Sequence, residues 1–423
     1  NAKPGSQVLT ISGQATTTNL VVSSGDNMNG GTLNVLGGIT VTNTGGYGGT
    51  LTININGTST QTLSSAGWGF PNININKSSG TLYLSGTIPI AGNWTWQSGT
   101  VDAQTSTLKF IGWNNSTLTA GPATYYSIEV AKSSGDYGLI LGSNLRMTGV
   151  LIITSGTFNK GGYGIYPFSP TSLGPSNKAD GSWSTSSQPT LSFIQSSPNA
   201  SDTLQYHIQI STSSSYSSLA VDYTSALLSQ TSTSFTVGQA AGSGSYTVGT
   251  TSQTLSDAQY YWRVMSNDNS GATSSYTTAN SGAIAFGVDT TAPTGTIASS
   301  TYGTITSSSI IINRPSTSTI TETGSGLSQW QVRRNSSTTL SAVSTSTATT
   351  SDSSLTSNTQ YTYDIRFIDL VGNISSYGAT SSKYTLTPSP ANFSATASQT
   401  SNALLVDSFN NASSSSSGYY FTN

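Results

Sequence analysis

The string Lys77, Ser78, Ser79, Gly80 returns 55 residues later as Lys132, Ser133, Ser134, Gly135. Ser98, Gly99 and Thr100 return as Ser155, Gly156 and Thr157 at an offset of 57, and Gly92 matches Gly149 at that same offset, so two residues are inserted between the blocks. Apolar alternation follows the anchors: Ile73 and Ile75 match Ile128 and Val130, and Ile88 and Ile90 match Leu145 and Met147. Upstream the pairs Leu9/Ile11, Leu20/Val22, Leu33/Val35, Ile39/Val41 and Leu51/Ile53/Ile55 keep the same period of two. That period belongs to strands. A long repeat built of shorter rungs constrains the chain to stacked units, each too small to bury its own stripe. The expectation for 1–168 is a β-solenoid, with a β-sandwich as the alternative that the same turn spacing allows. At about 4.8 Å per coil, roughly eight coils give a rod of about 40 Å.

Ser/Thr/Gly richness also suits disorder, so composition has to decide. Aromatic residues reach 9% and charged residues only 7%, with 13 basic and 15 acidic groups. Recurring Val, Ile and Leu and the absence of self-repelling charge favour order. Thr fits a pleated solvent face, and Ser, Asn and Gly fit turns. The same numbers exclude function classes. With no cysteine, thiolate metal sites, disulfides and thiol catalysis are ruled out. Thinly scattered Lys and Arg argue against nucleic acid, which needs a basic stripe. No apolar run reaches the roughly 18 residues of a membrane span. The chain begins at Asn1 without an initiator Met or a secretory signal, which reads as a processed start.

Residues 169–182, with Pro170, Pro175, Asn177 and Gly181, read as a linker. Longer strands follow: Leu191/Phe193, Tyr206/Ile208/Ile210, Phe235/Val237, Tyr260 to Val264, and Ile284/Phe286/Val288. After Asp289-Thr-Thr-Ala-Pro293 the pattern restarts with Ile310/Ile312, Trp330/Val332 and Tyr361/Tyr363/Ile365/Phe367. Leu255 followed by Tyr260-x-Trp262-x-Val264, and Leu355 followed by Tyr361-x-Tyr363-x-Ile365, resemble the leucine and aromatic strand of fibronectin type III domains. That family implies sandwiches of roughly 100 residues. The 289–293 junction and the Asp369-x-x-Gly372-Asn373 turn are similar to those of tandem modules in secreted bacterial multidomain surface proteins, and the solenoid pattern resembles repeats in such proteins. The expected organisation is all-β: a solenoid over 1–168, a linker over 169–182, fibronectin type III/Ig-like sandwiches over 183–289 and 290–389, and a remainder over 390–423. That remainder reads either as the start of a third sandwich, the favoured choice, or as an exchanged terminal segment.

Chemistry is sparse. His207 is the only histidine and lies between Tyr206 and Ile208, which places it off the apolar face as a solvated strand residue. A triad needs a base, and no second histidine exists. The acids of the repeat region are Asp26, Asp102, Glu129 and Asp136, and Asp102 aligns with Asn159, so paired carboxylates for glycoside hydrolysis are not expected. No cofactor is expected. Structural calcium is a weak alternative, because oxygen ligands suffice, but Asp289 and Asp369 read more simply as turn residues. Trp94 and Trp96 align with Leu151 and Ile153, so they read as core, as does Trp262. Trp68 and Trp113 are the candidate glycan-stacking rings. Frequent Asn-x-Ser/Thr triplets arise by chance in such a composition and support no glycosylation.

These readings lead to a non-enzymatic, extracellular structural protein of a bacterial cell surface: a surface-layer, filament or stalk subunit whose partners are copies of itself. The alternative is an adhesin or glycan-binding array that meets cell-surface glycans. With few charges, assembly is expected through strand addition at an edge. The candidate strands are Val8, Leu9 and Ile11 at one end, and Leu404, Leu405 and Val406 with Tyr419, Tyr420 and Phe421 at the other.

Overall fold

The computed structural model describes residues 8–23, 27–46, 48–268 and 270–388, and the backbone of 394–397 and 404–408. Tyr419, Tyr420 and Phe421 lie outside the described residues. Two compact units form: Asn1–Ala179 with Thr190–Gln253 and Tyr261–Ala283, and Asp180–Pro189 with Thr254–Tyr260 and Ile284–Asn423. The chain is all-β, and no described helix is long and apolar enough to cross a membrane.

In the first unit, 8–159 winds into a β-solenoid. Eight strands stack in parallel, from Val8–Thr17 through Thr52–Ile55, Asn72–Ser85 and Trp94–Asp102 to Thr157–Asn159. Thr32 pairs with Thr52 and Thr52 with Asn72, a coil of 20 residues. A second stack joins Thr87–Ile90, Thr107–Phe110, Ser127–Ala131 and Leu151–Ser155. Ile53, Ile55, Ile73, Ile75, Ile88, Ile90, Leu108 and Phe110 point inward and are buried. Asparagines tie the coils at their corners: Asn72 Oδ1 accepts from Asn93 N–H (3.0 Å), and Asn93 Oδ1 from Thr117 N–H (2.8 Å).

The 55-residue repeat holds locally but is not the coil period. Ile73 and Ile75 pair with Trp94 and Trp96 in the first stack, whereas Ile128 and Val130 pair with Leu151 and Ile153 in the second. The repeat therefore carries one face of the solenoid onto another. What it preserves is a corner. Buried Lys77 donates to the carbonyls of Gly57 (2.5 Å) and Ser59 (2.9 Å) and to Gln61 Oε1 (2.6 Å). Buried Lys132 donates to Ile111 O and Ser116 Oγ, both at 2.7 Å. Ser98 and Ser155 bond back to the carbonyls of those lysines (3.1 and 2.6 Å). Gly99 and Gly156 follow because a Cβ would lie 2.6 or 2.8 Å from the lysine Cβ, and both have positive φ (+99° and +92°).

The rest of the first unit is sandwich. Thr171–Gly174, inside the stretch read as a linker, is an edge strand beside Thr190–Ile194 and Ser232–Thr236. Phe193 and Phe235 of that sheet pack on Tyr206 (centroids 5.0 and 6.5 Å), from the sheet containing Thr203–Ser211, Leu219–Thr224 and the 261–268 strand. Trp262 is buried and donates to Lys178 O (2.7 Å). In the second unit, Phe286–Val288 lies between Trp183–Ser184 and residues 258–260. A further sandwich sets Tyr302–Ile305, Ile310–Asn313 and Thr349–Asp352 against Leu327–Arg334, Gln360–Asp369 and Ser381–Tyr384, over Ile310, Ile312, Trp330, Tyr363 and Phe367.

Burial pushes the Lys132 ammonium down to about 8 from 10.5. The folded pKa is below the unfolded one, so the unfolded chain binds more protons between about pH 8 and 10.5 and this group's stability contribution rises across that window. Lys132→Met leaves two buried acceptors unpaired and should cost about 1–3 kcal/mol. The difference from wild type in urea melts should widen from pH 8 to 10.5.

Candidate functional site

The alternation of Thr203–Ser211 does turn His207 away from the core, yet the ring is not solvated. Its Nε2 lies 2.6 Å from Asp222 Oδ1 and its Nδ1 2.9 Å from the Tyr276 hydroxyl. Gln209 donates to the other Asp222 oxygen (2.7 Å), and the Arg263 guanidinium sits over the rings of Tyr216 and Tyr276 at 4.0 and 4.1 Å. Alternation assigns a face but cannot name cross-strand partners, so the sequence missed Asp222 and Tyr276. Both ring nitrogens are engaged, neither by a serine. Burial raises the Tyr276 phenol, which makes it a poor nucleophile.

The densest acidic cluster lies in the second unit. Oxygens of Asp289, Glu322 and Asp369 all fall within 4.8 Å of one another, with both aspartates buried. Asp369 Oδ1 accepts from the N–H groups of Val371, Gly372 and Asn373 (3.0, 2.7 and 2.8 Å), the turn expected from Asp-x-x-Gly-Asn. Asp289 accepts from Thr291 N–H (3.3 Å) and Ser325 N–H (2.7 Å). Burial, with the two aspartates beside it, holds the Glu322 carboxyl above its ordinary value. These are the residues that could hold a hard divalent cation such as calcium.

The sister module handles the same turn differently. Asp268-x-x-Gly271-x-x-Ser274-Ser275-Tyr276 recurs as Asp369-x-x-Gly372-x-x-Ser375-Ser376-Tyr377. Ser274 Oγ accepts from Ser266 N–H and Ser375 Oγ from Phe367 N–H, each at 2.9 Å. Asp268 lies 3.7 Å from the Lys160 ammonium, which pairs with Asp202 at 2.7 Å. A lysine from the solenoid thus supplies positive charge at Asp268, whereas carboxylates surround Asp369. This nine-residue recurrence was the available sequence signal for the cluster; Glu322 had none.

The sequence-predicted residues scatter. Trp68, a candidate stacking ring, is 1% exposed and packs edge-on against Phe70 at 5.3 Å, so it offers no free face. Trp113 is 58% exposed. Trp94 is core, but Trp96 is half-buried and donates to Gly99 O (2.9 Å), and its counterpart Ile153 is half-exposed, because no coil of the solenoid lies beyond it. Val8 and Leu9 are exposed and Ile11 half-buried on the first strand of the stack. Leu404, Leu405 and Val406 pair with 395–397 in a hairpin.

No family model and no curated protein matches this chain. Solved structures of similar fold include three fibronectin domains of chicken CNTN1 (15% identity, 52% of this chain and 67% of that one, TM-score 0.28). A three-domain titin segment follows at 9% identity, 52% and 68% coverage and TM-score 0.34. A two-domain fibronectin type III segment of chicken tenascin is 12% identical, with 52% and 99% coverage and TM-score 0.20.

A carboxyl whose folded pKa is raised favours the protonated fold, so Glu322's contribution is greatest at low pH and is lost as pH rises through the folded value. Glu322→Gln mimics the protonated form. It should raise the melting temperature at pH 7, a gain of about 1 kcal/mol or less for so exposed a group. The gain should shrink toward about pH 4.

Proposed function

We propose that this chain is a non-enzymatic structural subunit of a bacterial cell surface, whose copies join by strand addition at the open start of the solenoid. The observation that carries the reading is an asymmetry between the solenoid's two ends. Among the described residues, Val8–Thr17 pairs on one side only, with Asn27–Val35, and exposes Val8, Leu9 and, on the next turn, Val21. At the other end the neighbouring sandwich meets the last coil: Pro198 O accepts from Leu151 N–H (3.1 Å), Ser196 O from Phe168 N–H (3.0 Å), and Lys160 reaches Asp202. An edge strand with apolar side chains is a template for another chain.

Two further observations support the reading. The single histidine is bound by Asp222 and Tyr276, so it is not poised against a serine. Strands and turns fill the described chain, with side-chain hydrogen bonds directed mainly at holding coils and loops together. An extracellular setting accords with the resemblance of the repeat and sandwich patterns to secreted surface proteins.

Strand addition makes a distinct prediction about salt. Backbone hydrogen bonds between neutral strands should leave self-association nearly unchanged from about 50 to 500 mM salt, whereas exposed ion pairs are screened over that range. Leu9→Lys places a charge on the edge and should weaken self-association at least tenfold in sedimentation velocity without changing the melting temperature. Monomeric wild type at high concentration, or unimpaired L9K, would count against the proposal.

A further inference from the structure

One break interrupts the solenoid wall. On one side, Thr100, Val101 and Asp102 pair with Thr81, Leu82 and Tyr83; on the other, Thr124 and Tyr125 pair with Arg146 and Met147. These two rows do not pair with each other. The cause is Trp96. The coil before it carries Ile75 at the paired position, but an indole is too large to leave the coils at ladder spacing. Its ring lies against the Cα of Gly121, where any Cβ would overlap it, and its N–H bonds Gly99 O at 2.9 Å. Ser116–Thr119 accordingly pairs with the Trp94 strand only at Trp94 and Thr95, stopping before Trp96.

The splayed coils leave a hollow of about 560 Å³ lined by Thr100, Asp102, Gln104, Thr124, Tyr126 and Thr148. A second, of about 380 Å³, shares Gln104 and adds Tyr83, so the groove runs along the wall. Tyr126 is 38% exposed. Gln104 is held at φ +49°, a conformation unusual for a residue with a side chain, by its own N–H and amide bonding Asp102 (3.0 and 2.9 Å). Strain of this kind concentrates where a side chain must be presented.

We infer that this groove binds a neutral glycan chain. Asp102 is its only charged lining residue. Without lysine or arginine it has nothing to neutralise a phosphate, sulfate or uronate, and Asp102 repels them. Carboxylate, amide and threonine hydroxyls suit the vicinal hydroxyls of a sugar, and a tyrosine ring suits its C–H face. The open strand edges are three and two residues long, too short to fix the register of an added peptide strand. Two adjoining hollows favour a polymer over a single sugar. The site is independent of Trp68 and Trp113 and does not rest on self-assembly.

The test is an array of neutral and acidic oligosaccharides, with any hit measured by titration calorimetry on the full chain, using L9K if wild type self-associates. A neutral hexasaccharide should bind, and Tyr126→Ala and Asp102→Asn should each weaken it at least tenfold with melting temperature unchanged. Trp96→Ile, which restores the residue type of the preceding coil, should abolish binding by closing the groove. The inference is overturned if no neutral glycan binds at millimolar concentration, if uronates or sulfated chains bind better, or if both Y126A and D102N bind like wild type. It is equally overturned if a peptide of sequence 8–17 protects the 100–104 and 124–126 amides while glycans do not.

Discussion

The backbone ladder between successive coils is the constraint on which the rest of the chain depends. Pairing Thr32 with Thr52 and Thr52 with Asn72 fixes the coil at 20 residues, so each turn must close with little slack. Glycine, asparagine and serine at the corners supply that closure. Asparagine side chains carry hydrogen bonding from coil to coil where the backbone leaves the sheet: Asn54 donates to Asn34 (2.7 Å), Asn74 to Asn54 (2.9 Å), and Asn115 and Asn144 accept from Gly138 and Gly164 (each 2.8 Å). A structure held this way has little use for charge, and the few charges present have local duties. Lys77 and Lys132 bind carbonyls turned inward at corners, Lys160 meets Asp202, and Arg333 grips Asp364 at 2.6 and 3.0 Å.

Apolar alternation reads out strands and their inward faces, which is why Ile53, Ile55, Ile73, Ile75 and Trp262 are buried where a period of two puts them. The repeat of Lys77-Ser-Ser-Gly80 is equally real. Its meaning was not legible, because coil period is a property of the backbone ladder and side chains record only the corner they build. A corner can recur on any face, so an offset of 55 carries Ile73 onto Ile128 in a different stack. Trp96 shows the converse error. Alignment with Ile153 marks the position as inward, but nothing in a pairwise alignment says that an indole there will push neighbouring coils apart. Clusters such as Asp289–Glu322–Asp369 and His207–Asp222–Tyr276 join residues distant in the chain, and only strand register brings them together.

The two sandwiches show how one turn can be completed in two ways. Asp268 and Asp369 close the same loop in successive modules. The first has a lysine from the solenoid nearby, which ties the sandwich to the last coil within one compact unit. The second gathers two further carboxylates and leaves Glu322 with a raised proton affinity. A small difference in neighbours thus turns a structural loop into a titrating, cation-compatible one.

The central claim is that backbone pairing does the work both within a copy and between copies. Hydrogen exchange on dilute and concentrated protein tests it directly. Coil-interior amides around Ile53–Ile55 and Ile73–Ile75 should be slow in both, and those of Val8–Thr17 should pass from fast to slow on concentration. Unchanged, fast exchange in Val8–Thr17 while the protein associates would show that copies meet elsewhere and would contradict the account.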